Sequence, residues 1–265
     1  MPRQIIYIFI SAMFFFGQLA QAQTIALSDK EIEKIGQKIF MNECGGKLEN
    51  LTAWNKGEDF ASLGIGHFIW YPKNKKGPFQ ESFPGLISFI SEAATYPIPE
   101  WLNSPENFCP WNTKKEFYQA INSTKMQELK SFLESTIHFQ ALYIIGRLEN
   151  ALPKMIAATE EKQKERIANT FTRLSKTSSG MYALIDYVNF KGEGVLESER
   201  YNDLGWGLLQ VLEEMNENVP DSDLINEFIR AAEFVLTRRV ANSPKKRNEI
   251  RWLPGWKSRL QTYKN

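Results

Sequence analysis

The sequence predicts a mainly α-helical protein, a many-helix body with one small β-hairpin near its N-terminus. Three observations lead to this class. Apolar residues recur at three- and four-residue spacing over most of the chain. Only residues 51–71 combine turn residues with a strand pattern. The chain has 265 residues, of which 43% are hydrophobic, and this content is enough for one sizeable core. The sequence contains no internal repeat.

The N-terminus has the three parts of a signal peptide. Arg3 precedes a predominantly apolar run over 5–16, and Ala20 and Ala22 provide a small-residue cleavage site. The run is shorter than the roughly 20 residues that a membrane-spanning helix needs. We therefore predict a signal peptide over 1–22, a single domain over 23–265, and a periplasmic or secreted location without a membrane anchor.

Helices follow one another along most of the remaining chain. The first helix is predicted over 29–43. It begins at a capping box whose first residue is Ser28, and it ends before Gly45. Pro153 fits the first turn of a helix. The other helices are predicted at 85–94, from a capping box at 113–116, at 126–133, 137–148, 164–174, 181–188 and 204–215, and at 224–240 behind an Asp223 cap.

The predicted hairpin lies between the first two long helices. Its turn is expected around Asn55 and Gly57, and its second half is a glycine-bearing strand over 62–71. We expect this to be the only sheet.

Charge and cysteine content restrict the function classes. The formal net charge is +1, but residues 238–264 carry nine Lys and Arg against Glu249 alone. This excess suits an anionic wall polymer, and a nucleic acid is not expected outside the cytoplasm. Cys44 and Cys109 form either one disulfide bridge or two buried free thiols. The only histidines, His67 and His138, are far apart in sequence, so neither a metal nor another cofactor is expected.

Glu43 is the first candidate for chemistry. It shares one helix face with Ile32, Ile35 and Ile39, so its carboxyl group is expected on the buried stripe. Apolar surroundings raise the pKa of a carboxyl group, as a general acid near neutral pH requires. The alternative is an ordinary glutamate at a helix end, turned to solvent.

Glu43 at a helix end, Ser62, and the run Gly64 to His67 together resemble phage-type lysozymes (muramidases). The resemblance covers 32–67 and implies an α+β lysozyme-like fold with Glu43 as general acid. It places Ser62 where the family has threonine and makes His67 a structural hydrogen-bonding residue more than a catalyst. The candidate substrate-binding residues here are Gly64, Gly66, His67 and Trp70.

One departure concerns the second catalytic group. The family's aspartate position corresponds to Lys56, and the segment is about four residues longer than in the family. Glu58 or Asp59 is the expected replacement, with Ser62 as a third group that could position water.

A second motif lies later in the chain. Residues 189–194, which contain Glu193, and 205–211, which contain Trp206 and Gln210, are similar to goose-type lysozymes and soluble lytic transglycosylases. The similarity implies that Glu193 acts as both acid and base, with Trp206 and Gln210 binding substrate. Gly194 stands where that family has serine. Alternatively, Glu193 only lines the site.

These observations predict a monomeric peptidoglycan muramidase that acts between N-acetylmuramic acid and N-acetylglucosamine. A lytic transglycosylase using Glu193 is the second hypothesis. A periplasmic protein that binds the wall without cleaving it is the third, because Lys56 replaces the aspartate.

Overall fold

The computed structural model describes residues 27–77, 79–93, 96–104 and 106–264. The predicted signal peptide lies outside the described residues. Within them the protein is mainly α-helical with a small antiparallel sheet near the N-terminus, so the predicted fold class is confirmed. No helix in these ranges is long and apolar enough to cross a membrane.

Ten α-helices and five short strands make up the described part of the chain. The helices are α1 (Asp29–Cys44), α2 (Phe83–Ala93), α3 (Lys114–Gln119), α4 (Thr124–Ser135), α5 (Ile137–Ala158), α6 (Glu161–Ser175), α7 (Ser178–Lys191), α8 (Leu208–Glu214), α9 (Leu224–Asn242) and α10 (Leu253–Gln261). The strands are β1 (Thr52–Ala53), β2 (Ala61–Leu63), β3 (Phe68–Trp70), β4 (Arg200–Tyr201) and β5 (Leu204–Gly205).

Helix α7 forms the centre of the helical body. Every residue from 180 to 188 is buried, because α5, α6, α8, α9 and α1 all contact this helix. A helix that is buried on all sides has apolar residues around its whole circumference. Asp186 is the exception in this run, and its carboxylate is therefore enclosed in the core.

Helix α1 packs against α5 and starts as predicted. The Ser28 hydroxyl accepts a hydrogen bond from the Glu31 amide, and the Glu31 carboxylate accepts one from the Ser28 amide at 2.9 Å. Gly36 lets the two helices approach closely, since a β-carbon there would lie 3.3 Å from that of Ala141. This contact holds α1, whose last turn carries Glu43, against α5.

Strands β1, β2 and β3 form an antiparallel sheet with β2 in the centre. Ser62 lies opposite both Ala53 and Ile69. Residues 64–67 were predicted within a strand, but they form the turn between β2 and β3. The reason is their backbone: Gly64 and His67 have φ of 67° and 47°, in the left-handed region that a strand excludes.

Gln140 fixes this turn to the helical body. Its side chain, with no solvent exposure, accepts a hydrogen bond from the Ile65 amide at 2.9 Å and donates one to the Leu133 carbonyl at 2.6 Å. The buried amide therefore connects the His67 turn to α4 and α5.

Replacing Gln140 with methionine should lower the free energy of unfolding by about 1–3 kcal/mol, because the Ile65 amide and the Leu133 carbonyl lose their partner at similar side-chain volume. Denaturant unfolding measures this loss. The matched control is Gln127→Met at an exposed position of α4, which we expect to change stability by less than about 0.5 kcal/mol. Equal stability of the two variants would contradict the anchoring role of Gln140.

Two sequence predictions about proline and capping are wrong in detail. Pro153 lies inside α5 and not in a first turn. The helix continues because Leu148, Ala151 and Met155 extend one fully buried stripe past the proline, and this burial outweighs the missing hydrogen bond. Asp223 precedes α9 without capping it; its carboxylate accepts a bond from the Asn226 side chain instead.

A second hairpin replaces the first turn of the helix predicted over 204–215. β4 and β5 pair with each other, and the turn that joins them consists of Asn202 and Asp203, which have φ of 50° and 63°. Two consecutive left-handed residues of these types are typical of a tight hairpin turn. Helix α8 therefore begins only at Leu208, and the expectation of a single sheet is wrong.

Of the two alternatives for the cysteines, the structure has the free thiols. Cys44 and Cys109 are both buried and unbridged. Burial raises the pKa of each thiol to about 12, and for Cys44 the neighbouring Glu43 charge adds to this effect.

Candidate functional site

A cavity of about 440 Å³ lies where the sheet meets the helical body. Its walls come from the end of α1, the β1–β2 loop, the β2–β3 turn, the end of α7 and the C-terminal segment. The lining residues are Glu43, Asn55, His67, Asn189, Phe190, Trp252 and Trp256. Five separate parts of the chain therefore meet around one concave surface.

The Glu43 carboxylate lines this cavity, and its side chain is 9% exposed. Its position on the buried face of α1 is as predicted. Oε1 accepts hydrogen bonds from the Arg259 guanidinium at 2.7 Å and from the Asn189 amide at 3.3 Å. Oε2 lies 3.4 Å from Nδ1 of His67. Both oxygens thus face donors or a potential cation.

The predicted rise in the pKa of Glu43 is wrong. Burial does raise this pKa, but the charges of Arg259 and His67, the Arg259 hydrogen bond and the Lys191 charge together outweigh burial and lower it. The sequence pattern identified the apolar neighbours and missed the cations. Glu43 is therefore ionised in the free protein at neutral pH.

Arg259 is shared between two carboxylates. Its Nε and Nη2 donate to the two oxygens of Asp186 at 2.8 Å each, and Nη2 also donates to Glu43. The Tyr263 hydroxyl donates to Asp186 at 2.7 Å. A planar guanidinium suits this two-point contact, and Asp186 holds it in a fixed orientation next to Glu43.

The lowered pKa of Glu43 predicts how stability depends on pH. A group whose pKa falls on folding stabilises the folded state above its unfolded pKa, about 4.3, and this stabilisation disappears as pH falls through the folded pKa. The wild type should therefore exceed the Glu43→Gln variant in unfolding free energy at pH 7, with the difference shrinking steadily below about pH 4.3. Denaturant unfolding between pH 2.5 and 7 tests this; a constant difference would contradict the assigned charge.

The sequence predicts His67 as a structural hydrogen-bonding residue and as a candidate for substrate binding. Its side chain is 45% exposed and lines the cavity beside Glu43. Its φ of 47° is uncommon for a residue other than glycine, and such backbone positions often occur at functional sites.

Three aromatic rings, those of Phe190, Trp252 and Trp256, form part of the cavity wall. Trp252 and Trp256 have ring centroids 6.1 Å apart, and Phe190 lies 6.4 Å from Trp256. The Lys191 Nζ is 3.5 Å from the Trp256 centroid and 3.8 Å from that of Phe190. Burial, together with the charges of Arg239 and Arg259, holds the pKa of Lys191 well below its usual value.

The three candidates for the second catalytic group lie outside the cavity lining. Ser62 is buried in β2, and Asp59 is exposed with its carboxylate 3.5 Å from the Lys75 amine. Glu58 is linked to the cavity by a hydrogen bond, which its carboxylate accepts from the lining residue Asn55 at 3.0 Å. Burial raises the pKa of Glu58, partly offset by Asn55 and by the charges of His67 and Lys114.

Most of the predicted substrate-binding residues have structural positions instead. Trp70 is 1% exposed and packs on Phe83, so a glycan cannot reach its ring. Gly64 is buried against Gln140, and a β-carbon on Gly66 would lie within 2.4 Å of the Phe68 ring. These two glycines allow the turn to pack, and only His67 of this group lines the cavity.

Only Asn189 and Phe190 of the second motif line the cavity, whereas Glu193, Trp206 and Gln210 lie outside its lining. Glu193 forms an ion pair with Lys154 at 2.8 Å. Trp206 is buried beneath the Arg239 guanidinium, whose central carbon is 4.1 Å from the ring centroid. Gln210 accepts from the Gly207 amide and donates to the Gly194 carbonyl. The motif is therefore a loop closed by its own hydrogen bonds, and Trp206 and Gln210 hold it together.

A larger and shallower cavity of about 710 Å³ lies between residues 97–101 and Glu128. The Trp101 ring nitrogen donates to the Glu128 carboxylate there. Both carboxylate residues of this cavity, Glu100 and Glu128, are exposed, whereas the Glu43 side chain is 9% exposed and ion-paired with Arg259, so the smaller cavity is the stronger candidate site. In the described part of the chain, no group of three His, Cys, Asp or Glu is arranged to hold a metal.

The fold and this cavity together define a mainly helical protein with one ion-paired carboxylate in an aromatic-walled recess. No protein-family model, curated protein or solved structure matches the chain significantly. The lysozyme resemblance of the sequence therefore remains a hypothesis.

Proposed function

We propose that this protein is a peptidoglycan-cleaving glycoside hydrolase, a muramidase that acts in the periplasm or outside the cell. The observation that carries the proposal is the meeting of Glu43 and His67 in one aromatic-walled cavity. These two residues belong to the motif that resembles phage-type lysozymes. The aromatic wall comes from residues far away in the sequence, namely Phe190 of α7 and the C-terminal Trp252 and Trp256.

The cavity offers the contacts that a sugar needs. The apolar faces of sugar rings pack on aromatic side chains, and Phe190, Trp252 and Trp256 provide such faces. Asn55 and Asn189 offer amide groups that can donate to and accept from hydroxyl and N-acetyl groups. An apolar surface with a few convergent polar groups is typical of small-ligand sites.

Nearby cations suit a glycan that carries carboxylates. Lys245, Lys246 and Arg251 are exposed on the segment that leads to Trp252, and the Arg251 guanidinium lies over the Trp252 ring. Peptide stems give peptidoglycan a negative charge, and a cationic rim favours their approach.

The ionised state of Glu43 determines its role in this proposal. A carboxylate beside the anomeric carbon stabilises the positive charge that develops there and can take a proton from the attacking water. Glu43 therefore acts as the anionic group and not as the proton donor that the sequence predicts. A separate group must supply the proton to the leaving oxygen.

A non-catalytic wall-binding protein is the second candidate. The Arg259 contact favours it, because a carboxylate held by an arginine at 2.7 Å can serve structure alone. The transglycosylase hypothesis has less support, since Glu193 is ion-paired with Lys154 and lies outside the cavity lining.

The test is digestion of purified sacculi with the wild type and with Glu193→Gln, followed by mass analysis of the muropeptides. Equal release of reducing-end products by both proteins would support the muramidase. Anhydro-muramic products that disappear in Glu193→Gln would support the transglycosylase. No release by the wild type, with sedimentation onto sacculi retained, would identify a binding protein.

A further inference from the structure

We propose that His67 is the general acid of this cavity and that Glu43 balances the charge of its imidazolium form. The inference rests on the proposed function and adds the proton donor that the reaction lacks. Its basis is the position of His67, which is half-exposed, lines the cavity and lies 3.4 Å from Glu43.

The β2–β3 turn presents the imidazole in a defined direction. The His67 amide donates to the Gly64 carbonyl at 3.3 Å, and Gln140 fixes the neighbouring Ile65 amide. Nδ1 is the ring nitrogen that faces Glu43. No residue in the described ranges is hydrogen-bonded to Nε2, so this nitrogen is free to meet a ligand.

Glu43 is poorly suited to donate the proton itself. Arg259 and Asn189 both donate to its Oε1, so protonation would forfeit a charged contact that Asp186 keeps in place. Histidine is the side chain that most often transfers protons in enzyme active sites, and His67 is the histidine of this cavity.

The charged groups around His67 come from four parts of the fold. Glu43 from α1 is the nearest, and Glu58 from the β1–β2 loop lies close enough for the imidazolium to lower its pKa against the effect of burial. Arg259 from α10 and Lys191 from α7 are cations whose charges lower the pKa of Glu43. Glu58 is the competing acid, although it lies outside the cavity lining.

In the proposed step, Nε2–H of the imidazolium gives its proton to the glycosidic oxygen as the bond from that oxygen to the anomeric carbon breaks. The oxygen leaves as a hydroxyl and the imidazole becomes neutral. Water then forms a bond to the anomeric carbon, its proton passes to Glu43 and then to solvent, and the imidazole regains a proton from solvent. Atoms and charge balance with water as the only co-reactant.

The test compares wild type with His67→Asn, because asparagine tolerates the left-handed φ of 47° better than other residues of similar size. On sacculi we expect kcat to fall about 10²- to 10⁴-fold, with little change in KM. The alkaline limb of the pH–rate profile should disappear, because asparagine has no proton to donate as an acid. His138→Asn, which changes the only other histidine, is the control and should retain wild-type rates.

A glycoside with an activated aryl leaving group separates the acid from other roles. Such a leaving group departs without protonation, so His67→Asn should regain most of the wild-type rate, whereas Glu43→Gln should not. Wild-type rates for His67→Asn on sacculi, or an alkaline limb lost only in Glu58→Gln, would overturn the role of His67. A wild type inactive on both substrates would instead refute the proposed function, and with it this inference.

Discussion

Replacing Glu43 with glutamine should reduce the kcat of glycan cleavage about 10³-fold, which corresponds to about 4 kcal/mol of transition-state stabilisation. Glutamine keeps the length of the side chain but carries no negative charge, so it neither balances the positive charge at the anomeric carbon nor accepts a proton from water. The measurement is the initial rate of muropeptide release from sacculi, with KM determined in parallel.

The fold should tolerate this change. The amide oxygen of glutamine can still accept from Arg259, and Asp186 retains its two bonds to the same guanidinium. Sedimentation onto sacculi should therefore remain close to that of the wild type. The matched control is Glu33→Gln, at an exposed position of α1, which should leave the rate unchanged. A Glu43→Gln variant that cleaves at the wild-type rate would exclude this cavity as the active site.

The largest effect on stability is expected for Asp186→Asn. We expect the free energy of unfolding to fall by about 3–5 kcal/mol, because the change leaves Arg259 in the core with Glu43 as its only carboxylate. The Tyr263 hydroxyl would also lose its charged acceptor. Denaturant unfolding at pH 7 measures the change, and the midpoint should shift without a large change in slope.

Asp221→Asn is a suitable control for this experiment. It breaks the ion pair between Arg173 and Asp221, which has a similar N–O distance of 2.7 Å, but the Asp221 side chain is 74% exposed. An exposed pair of this kind contributes about 0–1 kcal/mol. Equal losses of unfolding free energy in the two variants would show that burial does not make the Arg259–Asp186 ion pair stronger than the exposed one.

These two experiments separate the two carboxylates that share Arg259. Asp186 has no solvent exposure and accepts two guanidinium bonds, so its role is to hold the cation. Glu43 accepts one such bond and faces the cavity. The Arg259 guanidinium therefore balances the buried charge of Asp186 and also lowers the pKa of Glu43 in the cavity.

Local patterns in the sequence determined the helical class and much of its detail. The capping box at Ser28 places the start of α1, and the spacing of Ile32, Ile35 and Ile39 places Glu43 on the buried face. Such patterns work because a helix repeats over three to four residues, so spacing alone assigns a face. The turn around Gly57 follows from residue type in the same way.

Other features had a local signal that was overlooked. Asn202 and Asp203 form a pair typical of a tight hairpin turn, which shortens the helix predicted from 204. Asp186 is a single acidic residue within an apolar helical run, and such a residue is expected to have a buried partner. The sequence does not say which residue that partner is.

Only the tertiary structure decided the chemistry of the cavity. Glu43 and Arg259 are 216 residues apart, and Glu43 and Asn189 are 146 apart, so no local spacing relates them. The pKa of a buried carboxyl group depends on the charges within a few ångströms as much as on its apolar neighbours. The apolar spacing in α1 places the Glu43 side chain on the buried face, whereas its ionised state depends on Arg259 of α10 reaching Glu43 of α1 and Asp186 of α7 in the folded protein.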